Sequence, residues 1–518
     1  MKGDKMDYLI GVDIGTQGTK AVLIDPTGKV LAHHYKGYDV ETPKPSWAQQ
    51  WPEPWEEATN VTIKAVVEKS NVDPKDIKGV AISSLYGGSG IPVDKEMKPL
   101  APCLIWMDRR AEEEVKWVEE NINLNELFEV TGNSVNSYFG FTKILWMKNH
   151  LPKVWDEIEY FLPPAPYIVY KLTGEVAVDY SSAGNIGGVF NLKERTWSKE
   201  MAEQLGIPLR FFPKRLVECT EIVGGITEEA AMKTGLKAGT PVICGGVDAP
   251  VATMGAGALA EGNHVAMLGT SMCWGFITEM PNLSPNLVSM PHCVDSSEII
   301  YTFGGAATAG AILRWFRDVI GTEELAAEDR LGINAYTLLD LQAKEIPAGS
   351  NGVLVLPYFM GERSPIWDSS ARGLILGLSL VHTKGHLYKA FMEGVAYSLR
   401  HNMEMVLGTD AKLDKELIIV GGGSKSMNWP QIYADVTGYP VRIIKNDVEA
   451  PLGDAVLAGI ATGIIPDPHV LKDWLEFEEP IQPNPENTKI YDQYYEEYKK
   501  LYVSTKDIMK SVTHIGHQ

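Results

Sequence analysis

Residues 8–25 read YLIGVDIGTQGTKAVLID. Two apolar runs, Tyr8–Asp13 and Lys20–Asp25, flank the small turn-forming segment Gly15-Thr16-Gln17-Gly18-Thr19. Short apolar runs bounded by glycine read as buried strands, and a Gly-containing link between them reads as a hairpin. Pro26-Thr27-Gly28-Lys29 supplies a second turn before a third strand from Val30, so the chain opens as an antiparallel meander. The apolar spacing then becomes helical over 53–69, through Trp55, Ala58, Val61, Ala65 and Val66, and returns to a strand at Val80–Ser83. Further along, strand-like runs such as Pro241–Cys244 alternate with helical ones such as Ala111–Glu120. The fold class is α/β.

The opening pattern recurs near the middle of the chain. His264–Leu268 is strand-like, Gly269-Thr270-Ser271 is a turn, and Met272–Thr278 is a second strand. The two Gly-Thr pairs lie 269 − 15 = 254 residues apart, close to half of the 518 residues. Two related domains, each with one such loop, explain the recurrence. The boundary is expected around 256–264, in the Gly-rich run GAGALAEGN. The second half continues with a helical run at Ala307–Val319, a strand at Gly352–Pro357, and a long amphipathic helix at Gly385–Leu407. A strand at Leu417–Val420 then runs into Gly421-Gly422-Gly423-Ser424. Beyond Ile465, five prolines precede a Tyr/Lys/Glu-rich segment, Tyr491–Lys510, which reads as a terminal helix packed on a domain or, alternatively, as a solvated tail. The expected domains are therefore 1–256, 257–465 and a helical extension 466–518.

Composition limits the function. At 45% hydrophobic and 22% charged residues the chain is ordinary globular protein, long enough for two or three domains. Lys and Arg total 47 against 67 Asp and Glu, a net charge of −20, which argues against nucleic acid or an anionic membrane as the main partner. A small anionic ligand remains compatible with one local site. Five cysteines (Cys103, Cys219, Cys244, Cys273, Cys293) are scattered without CxxC spacing, so neither a disulfide framework nor a zinc site is expected. The first apolar run is too short for a signal peptide, and no stretch of about 20 apolar residues suggests a membrane span. A cytoplasmic protein is the expectation.

Three glycine-rich segments can carry chemistry. In Asp13-x-Gly15-Thr16-x-Gly18-Thr19-Lys20, glycines admit backbone N–H groups close to a phosphate, threonines add donors, and Asp13 can hold Mg²⁺. The same residues also suit an ordinary hairpin turn. There is no GxxxxGK[ST], so this is not a P-loop. In Gly245-Gly246-Val247-Asp248-Ala249, a strand delivers Asp248 into a small-residue loop, where it can act as a base in phosphoryl transfer or cap the helix begun by Ala249-Pro250. Gly421-Gly422-Gly423-Ser424 with Asn428 lacks the last glycine of GxGxxG, which weakens a dinucleotide reading; it can instead let a flat base lie against backbone. Trp47, Trp51 and Trp55 read as core or loop anchors, whereas Trp106, before Asp108-Arg109-Arg110, is a candidate for hydroxyl recognition.

Together these segments resemble the FGGY family of carbohydrate kinases, within the actin, Hsp70 and hexokinase superfamily. The most specific match is GERSPIWDSSARGLILGLSLVHTKGHLYKAFMEGVAYSLR at 361–400, similar to the family's C-terminal signature. GVDIGTQGTK (11–20) and LGTS (268–271) resemble its two phosphate loops, GGGSKSMNW (421–429) its adenosine loop, and NDVEAPLGDAVLAG (446–459) its closing block. The resemblance implies two ribonuclease-H-like domains flanking an interdomain cleft, with ATP and Mg²⁺ as cofactors. It implies Asp248 as catalytic base and Asp13, with Asp248, as the metal-associated carboxylates. Gly15, Thr16, Gln17, Thr19 and Lys20 match the first phosphate loop and Gly269, Thr270 and Ser271 the second. AGAILRWFRD (309–318) resembles the nucleotide-site helix, which implies Gly310 and Arg314 near ATP. Gly421, Gly422, Gly423, Ser424 and Asn428 would surround the adenosine.

The acceptor is less sharply written. SWAQQWPEPW (46–55) and IWMDRRA (105–111) resemble the xylulokinase branch, so a ketopentose such as D-xylulose is the expected substrate. That branch has Met-His-Gly where this chain has Leu85-Tyr86-Gly87, and Asp-Asn where this chain has Asp248-Ala249. Such exchanges change which hydroxyls are read and support another ketose or a polyol, such as ribulose or an erythritol-type acceptor. TGNSVNSYFGFTKILW (131–146) is closer to the glycerol kinase pattern, which implies that Tyr138 touches the acceptor, yet the Arg-Glu pair of glycerol kinases is missing near residue 87. The expected acceptor contacts are Tyr86, Gly87, Trp106, Tyr138, Asp248 and Ala249. A non-catalytic nucleotide-gated binding protein is the remaining alternative. The expected partners are a sugar or polyol and ATP, with no nucleic acid or membrane; a homodimer is admitted, but no residue pattern decides it.

Overall fold

The computed structural model describes residues 6–279, 283–407, 409–445 and 450–516. Residues 446–449, which open the closing block of the resemblance, lie outside the described residues. The chain forms two compact units, each built from three stretches: 1–261, 277–302 and 448–475 in the first, 262–276, 303–447 and 476–518 in the second.

The first unit is built on a six-stranded sheet of β1 (Tyr8–Ile14), β2 (Gly18–Ile24), β3 (Val30–Gly37), β4 (Ile77–Ser84), β5 (Ile222–Gly225) and β6 (Pro241–Val247), in the order 5-6-4-1-2-3. β2 runs antiparallel to β1 and β3, while β1, β4 and β6 are mutually parallel. Leu9, Ile10, Val12 and Ile14 are all fully buried, so β1 is covered on both faces, as a continuous apolar run predicts. Edge strand β3 leaves Val30 and Leu31 exposed. Helix α1 (Glu53–Ser70) packs on β2 and β3 through a stripe including Trp55, Ala58, Ile63 and Val66. Three further helices bear on the site, α2 (Gly140–His150), α3 (Tyr180–Ile186) and α4 (Asp248–Gly255).

The second unit repeats the plan. Its sheet contains β7 (His264–Leu268), β8 (Met272–Glu279), β9 (Ile299–Ala306), β10 (Leu417–Val420) and β11 (Val441–Ile443), in the order 9-8-7-10-11. The hairpin β7–β8 is antiparallel, and β7, β10 and β11 are parallel. The order 3-2-1-4-6 in one unit and 9-8-7-10-11 in the other is the same ribonuclease-H-like arrangement, so the recurring strand–Gly-Thr–strand pattern marks a repeated fold. Helices α5 (Gly310–Val319), α6 (Ala335–Lys344), α7 (Lys384–Leu407) and α8 (Trp429–Thr437) belong to this unit.

Helix α9 (Ala450–Ala461) returns to the first unit and packs on β1 and β4. At Gly11 a Cβ would lie 1.8 Å from the Pro451 carbonyl oxygen, so glycine is what lets α9 approach β1. Helix α10 (Pro485–Gly516) packs in the second unit through buried Tyr491, Tyr495 and Tyr498. Tyr491 Oη donates to Glu393 Oε1 at 2.8 Å; Glu393 also accepts from Gly349 N (3.0 Å) and Ser350 Oγ (2.7 Å). Burial pushes the Glu393 carboxyl up to about 7. Among the described residues, no helix is long and apolar enough to cross a membrane.

Candidate active site

In the first unit, parallel strands carry the acids to one end of the sheet. Asp13 on β1 is paired with Ser83 on β4 and with Lys20 on β2. Between Cys244 and Gly246 the register of β6 against β4 slips, which makes Gly245 a bulge. Both glycines are sterically required. A Cβ on Gly245 would lie 2.1 Å from Asp454 Oδ1, and Gly246 has φ +101°. The strand then passes directly into α4, whose first residue is Asp248 and whose cap, Val247, makes no side-chain capping bond. The helix-cap reading of Asp248 is therefore replaced: its carboxyl sits at the positive end of α4 without serving as N-cap. Burial pushes that carboxyl well above the ordinary Asp range and the charge of Asp13 pushes it further, while the Ala249 N–H opposes both.

Asp454 on α9 is the third member. One of its oxygens accepts from Ser83 Oγ at 2.6 Å; the other, Oδ1, lies buried against Gly245 with no hydrogen-bond partner. Burial raises this carboxyl too, and the charges of Asp13 and Asp248 add to the effect. Asp13 and Asp248 offer hard oxygen donors, which suit Mg²⁺, an ion that keeps water and phosphate oxygens as most of its ligands. Among the described residues, no three His, Cys, Asp or Glu side chains are grouped to hold a metal unaided. A bound Mg²⁺ would depend on phosphate and water beside these two carboxylates.

The first Gly-Thr loop is fixed from several sides. Gly15 N donates to Gly18 O (3.0 Å) and Tyr38 Oη to Gly15 O (2.6 Å). Thr19 is fully buried, with its hydroxyl 3.3 Å from Tyr38 Oη, so the pleat turns it inward against protein. Gln17 is exposed at the tip, and its carbonyl accepts from Tyr35 Oη. Thr16 Oγ1 accepts from the Trp106 indole at 3.0 Å, and Trp106 N donates to Tyr86 O at 3.2 Å. Trp106 thereby joins the first loop to the Tyr86 segment, two regions that composition alone left unconnected.

The Tyr86 segment is tightly packed. Tyr86 Oη accepts from Gly140 N at 2.5 Å, and its ring lies 4.8 Å from that of Tyr138. Both tyrosines are buried, and a Cβ on Gly87 would lie 2.3 Å from Pro164 Cδ. The cavity lined by residues 85–88, Gly90, Ser182, Ile186 and Val247 measures about 10 Å³, which holds one water at most. Ala249 follows Asp248 on α4 and is half-buried.

In the second unit, Gly269 N donates to Ser271 O at 3.0 Å, and Gly269 and Thr270 are exposed. Ala309, Gly310 and Ala311 at the start of α5 donate their N–H groups to the carbonyls of Gly269 and Thr270. A Cβ on Gly310 would lie 2.6 Å from Gly269 O. Arg314 is exposed one turn along α5. Gly421, with φ +90°, and Gly423 both lie against Leu268, which brings the glycine run to the base of the second Gly-Thr loop. Ser424 Oγ donates to Gly421 O (2.8 Å), and Asn428 Nδ2 donates to Asp340 O (2.6 Å). The Asp340 carboxylate on α6 holds Ser426 Oγ and Met427 N, which fixes the run from behind. Neither Asp454 nor Asp340 was singled out by sequence pattern. The only signals were the Asp within the closing block and the paired glycines at 245–246 that leave room for it.

Residues 8–255 match the N-terminal domain of the FGGY family of carbohydrate kinases, and residues 264–462 match its C-terminal domain. The chain belongs to this family and is a carbohydrate kinase of xylulokinase-like type. It is 30% identical to the xylulose kinase of Bacillus subtilis (strain 168) over 507 residues, 97% of this chain and 98% of that one. It is 31% identical to the gluconokinase of the same organism over 462 residues, 88% of each. A ligand-bound xylulose kinase from Lactobacillus acidophilus superposes with a TM-score of 0.88 at 26% identity, covering 96% of this chain and 98% of that one. Membership implies a sugar and ATP as substrates.

Proposed function

We propose that the protein transfers the γ-phosphoryl group of ATP to a hydroxyl of a ketopentose such as D-xylulose, with Asp248 as the base. The observation that carries this reading is Asp248 at the end of β6, its carboxyl raised by burial and by Asp13. A raised carboxyl is a stronger base, and it still releases its proton again afterwards. The acceptor oxygen forms a bond to the γ-phosphorus as the bond to ADP breaks, and the hydroxyl proton passes to Asp248. Asp13, with Asp248 beside it, would hold Mg²⁺, which would neutralise phosphate charge. Backbone N–H groups of Thr16, Thr270 and Ser271, with Lys20, steady the phosphates across the turns that the Gly15 and Gly269 N–H groups close, while Gly310, Arg314, Gly421–Ser424 and Asn428 hold the nucleotide. Trp106, Tyr86, Gly87, Tyr138 and Ala249 shape the acceptor site. The first unit acts as the sugar domain and the second as the nucleotide domain, with 476–518 as its helical extension; α9, expected within the nucleotide domain, belongs to the first unit.

A second reading, transfer to another ketose or a polyol, is favoured by Tyr86-Gly87 and Ala249, which present fewer polar side chains than the xylulokinase pattern. The relatives named xylulose kinase and gluconokinase are similarly distant, so the acceptor is an experimental question. ADP release measured with D-xylulose, D-ribulose, erythritol, glycerol and gluconate separates the readings. The highest kcat/KM is expected with D-xylulose. No stimulation by D-xylulose alongside stimulation by a polyol would replace the first reading with the second.

A further inference from the structure

Asp179 is fully buried immediately before α3, and four donors converge on its carboxylate. Oδ1 accepts from Ser181 Oγ (2.6 Å), Ser182 N (2.8 Å) and Cys219 Sγ (3.7 Å), and Oδ2 accepts from Cys244 Sγ (3.3 Å). A buried carboxylate is costly unless its oxygens are occupied, and these are. Ser181 is also fully buried, and its Oγ accepts from Val247 N at 3.0 Å. Val247 is the residue from which Asp248 leaves the strand. Both side chains, with Cys219, press on the bulged backbone just before it. A Cβ on Gly246 would lie 2.5 Å from Ser181 Oγ, 2.9 Å from Cys219 Sγ and 3.3 Å from Asp179 Oδ1. On the neighbouring residue, Asp454 fills the space a Cβ on Gly245 would take.

We infer that Asp179 and Ser181 are positioning residues which hold Val247, and through it fix the direction in which Asp248 meets the acceptor hydroxyl. The bulge at Gly245 supplies the change of course, and beyond it Val247 is back in register with Ser84 on β4 while its N–H is held by Ser181. Ser181 supplies the anchor as an acceptor, and Asp179 holds Ser181 by taking its proton-bearing side. Both side chains are fully buried. The inference rests on Asp248 being the base.

The test compares Ser181→Ala and Ser181→Thr with the wild type in full kinetics and in amide hydrogen exchange over residues 241–250. Ser181→Ala is expected to lower kcat by about 10²-fold, the scale of a 1 Å misplacement, with both KM values within about threefold. Ser181→Thr, which keeps the hydroxyl, is expected to restore most of kcat. Exchange at Val247 is expected to quicken in Ser181→Ala alone. Normalising kcat to the folded fraction by circular dichroism removes any loss due to unfolding. A normalised kcat for Ser181→Ala within about twofold of wild type, or unchanged exchange at Val247, overturns the inference. If the wild type turns over no sugar of the panel, the acceptor assignment fails instead, and exchange at Val247 alone decides whether the anchor exists.

Discussion

The Gly-Thr hairpins of the two units share a backbone pattern and differ in what is brought to them. In the first, a strand residue two positions before the glycine is Asp13, and Asp248 and Asp454 arrive from β6 and α9 to complete a group of three carboxyls in mutual electrostatic reach. In the second, the corresponding residue is Met267, and the neighbours are the N-terminal amides of α5 and the glycine run after β10. One hairpin is surrounded by titratable oxygen, the other by backbone. A repeated fold thus offers two similar loops, and chemistry is assigned by the third and fourth elements that reach each one. Among the described residues, the carboxylates next to the second loop's neighbours, Asp340 and Glu362, are occupied by donors of the protein itself, which limits their repulsion of a polyanion in a chain of net charge −20.

If the acids of the first hairpin do the chemistry, Asp248→Ala should lower kcat by about 10²–10⁴-fold with ATP binding retained, measured by steady-state kinetics and calorimetry. More than about a tenth of wild-type kcat would remove Asp248 from the role of base. Gly246→Ala should come next, because its φ of +101° and its contact with Ser181 are both intolerant of a methyl group. A loss of about 1–3 kcal/mol in stability is expected by chemical denaturation, with kcat reduced in the fraction that folds. Gly310→Ala tests the other hairpin. Its methyl group would displace the Gly269 carbonyl, so the KM for ATP should rise about tenfold, equivalent to about 1.4 kcal/mol, with sugar KM unchanged. An equal rise in sugar KM would break the contrast between the loops.

A pH-dependent effect concerns Glu393, far from either hairpin in sequence. Its carboxyl is raised from 4.5 to about 7, so its contribution to stability is fully present below 4.5 and is lost as pH rises through about 7. Thermal unfolding followed from pH 5 to pH 8 should show this decline, and Glu393→Gln should flatten it.

Much of this was legible locally. Tyr8–Ile14, Leu417–Val420 and the helix over 53–70 follow from apolar period and flanking glycine, and each is settled within a few residues. The dual reading of Asp248 was not resolvable that way, because cap and base use the same residue after the same strand. In the structure Val247 holds the cap position, and the placement of Asp248 beside Asp13 after the bulge at Gly245 supports the base that we propose. Asp454 was invisible for the same reason, since its bond to Ser83 joins residues 371 positions apart. Thr19 shows the reverse. Its motif position suggested a phosphate donor, yet strand alternation turns its hydroxyl toward Tyr38. The interleaving of the two compact units is likewise a property of distant contacts, which no composition shift at 256–264 reports.

The contrast between the hairpins is tested most directly by the pH dependence of kcat/KM for ATP, which reports the enzyme before the nucleotide and its metal bind. With burial and Asp13 raising Asp248, kcat/KM should fall on the acid side at a midpoint well above the ordinary Asp value of 3.8. A kcat/KM that stays constant down to that value, or a midpoint at or below it, would contradict a base set by the acids of the first hairpin.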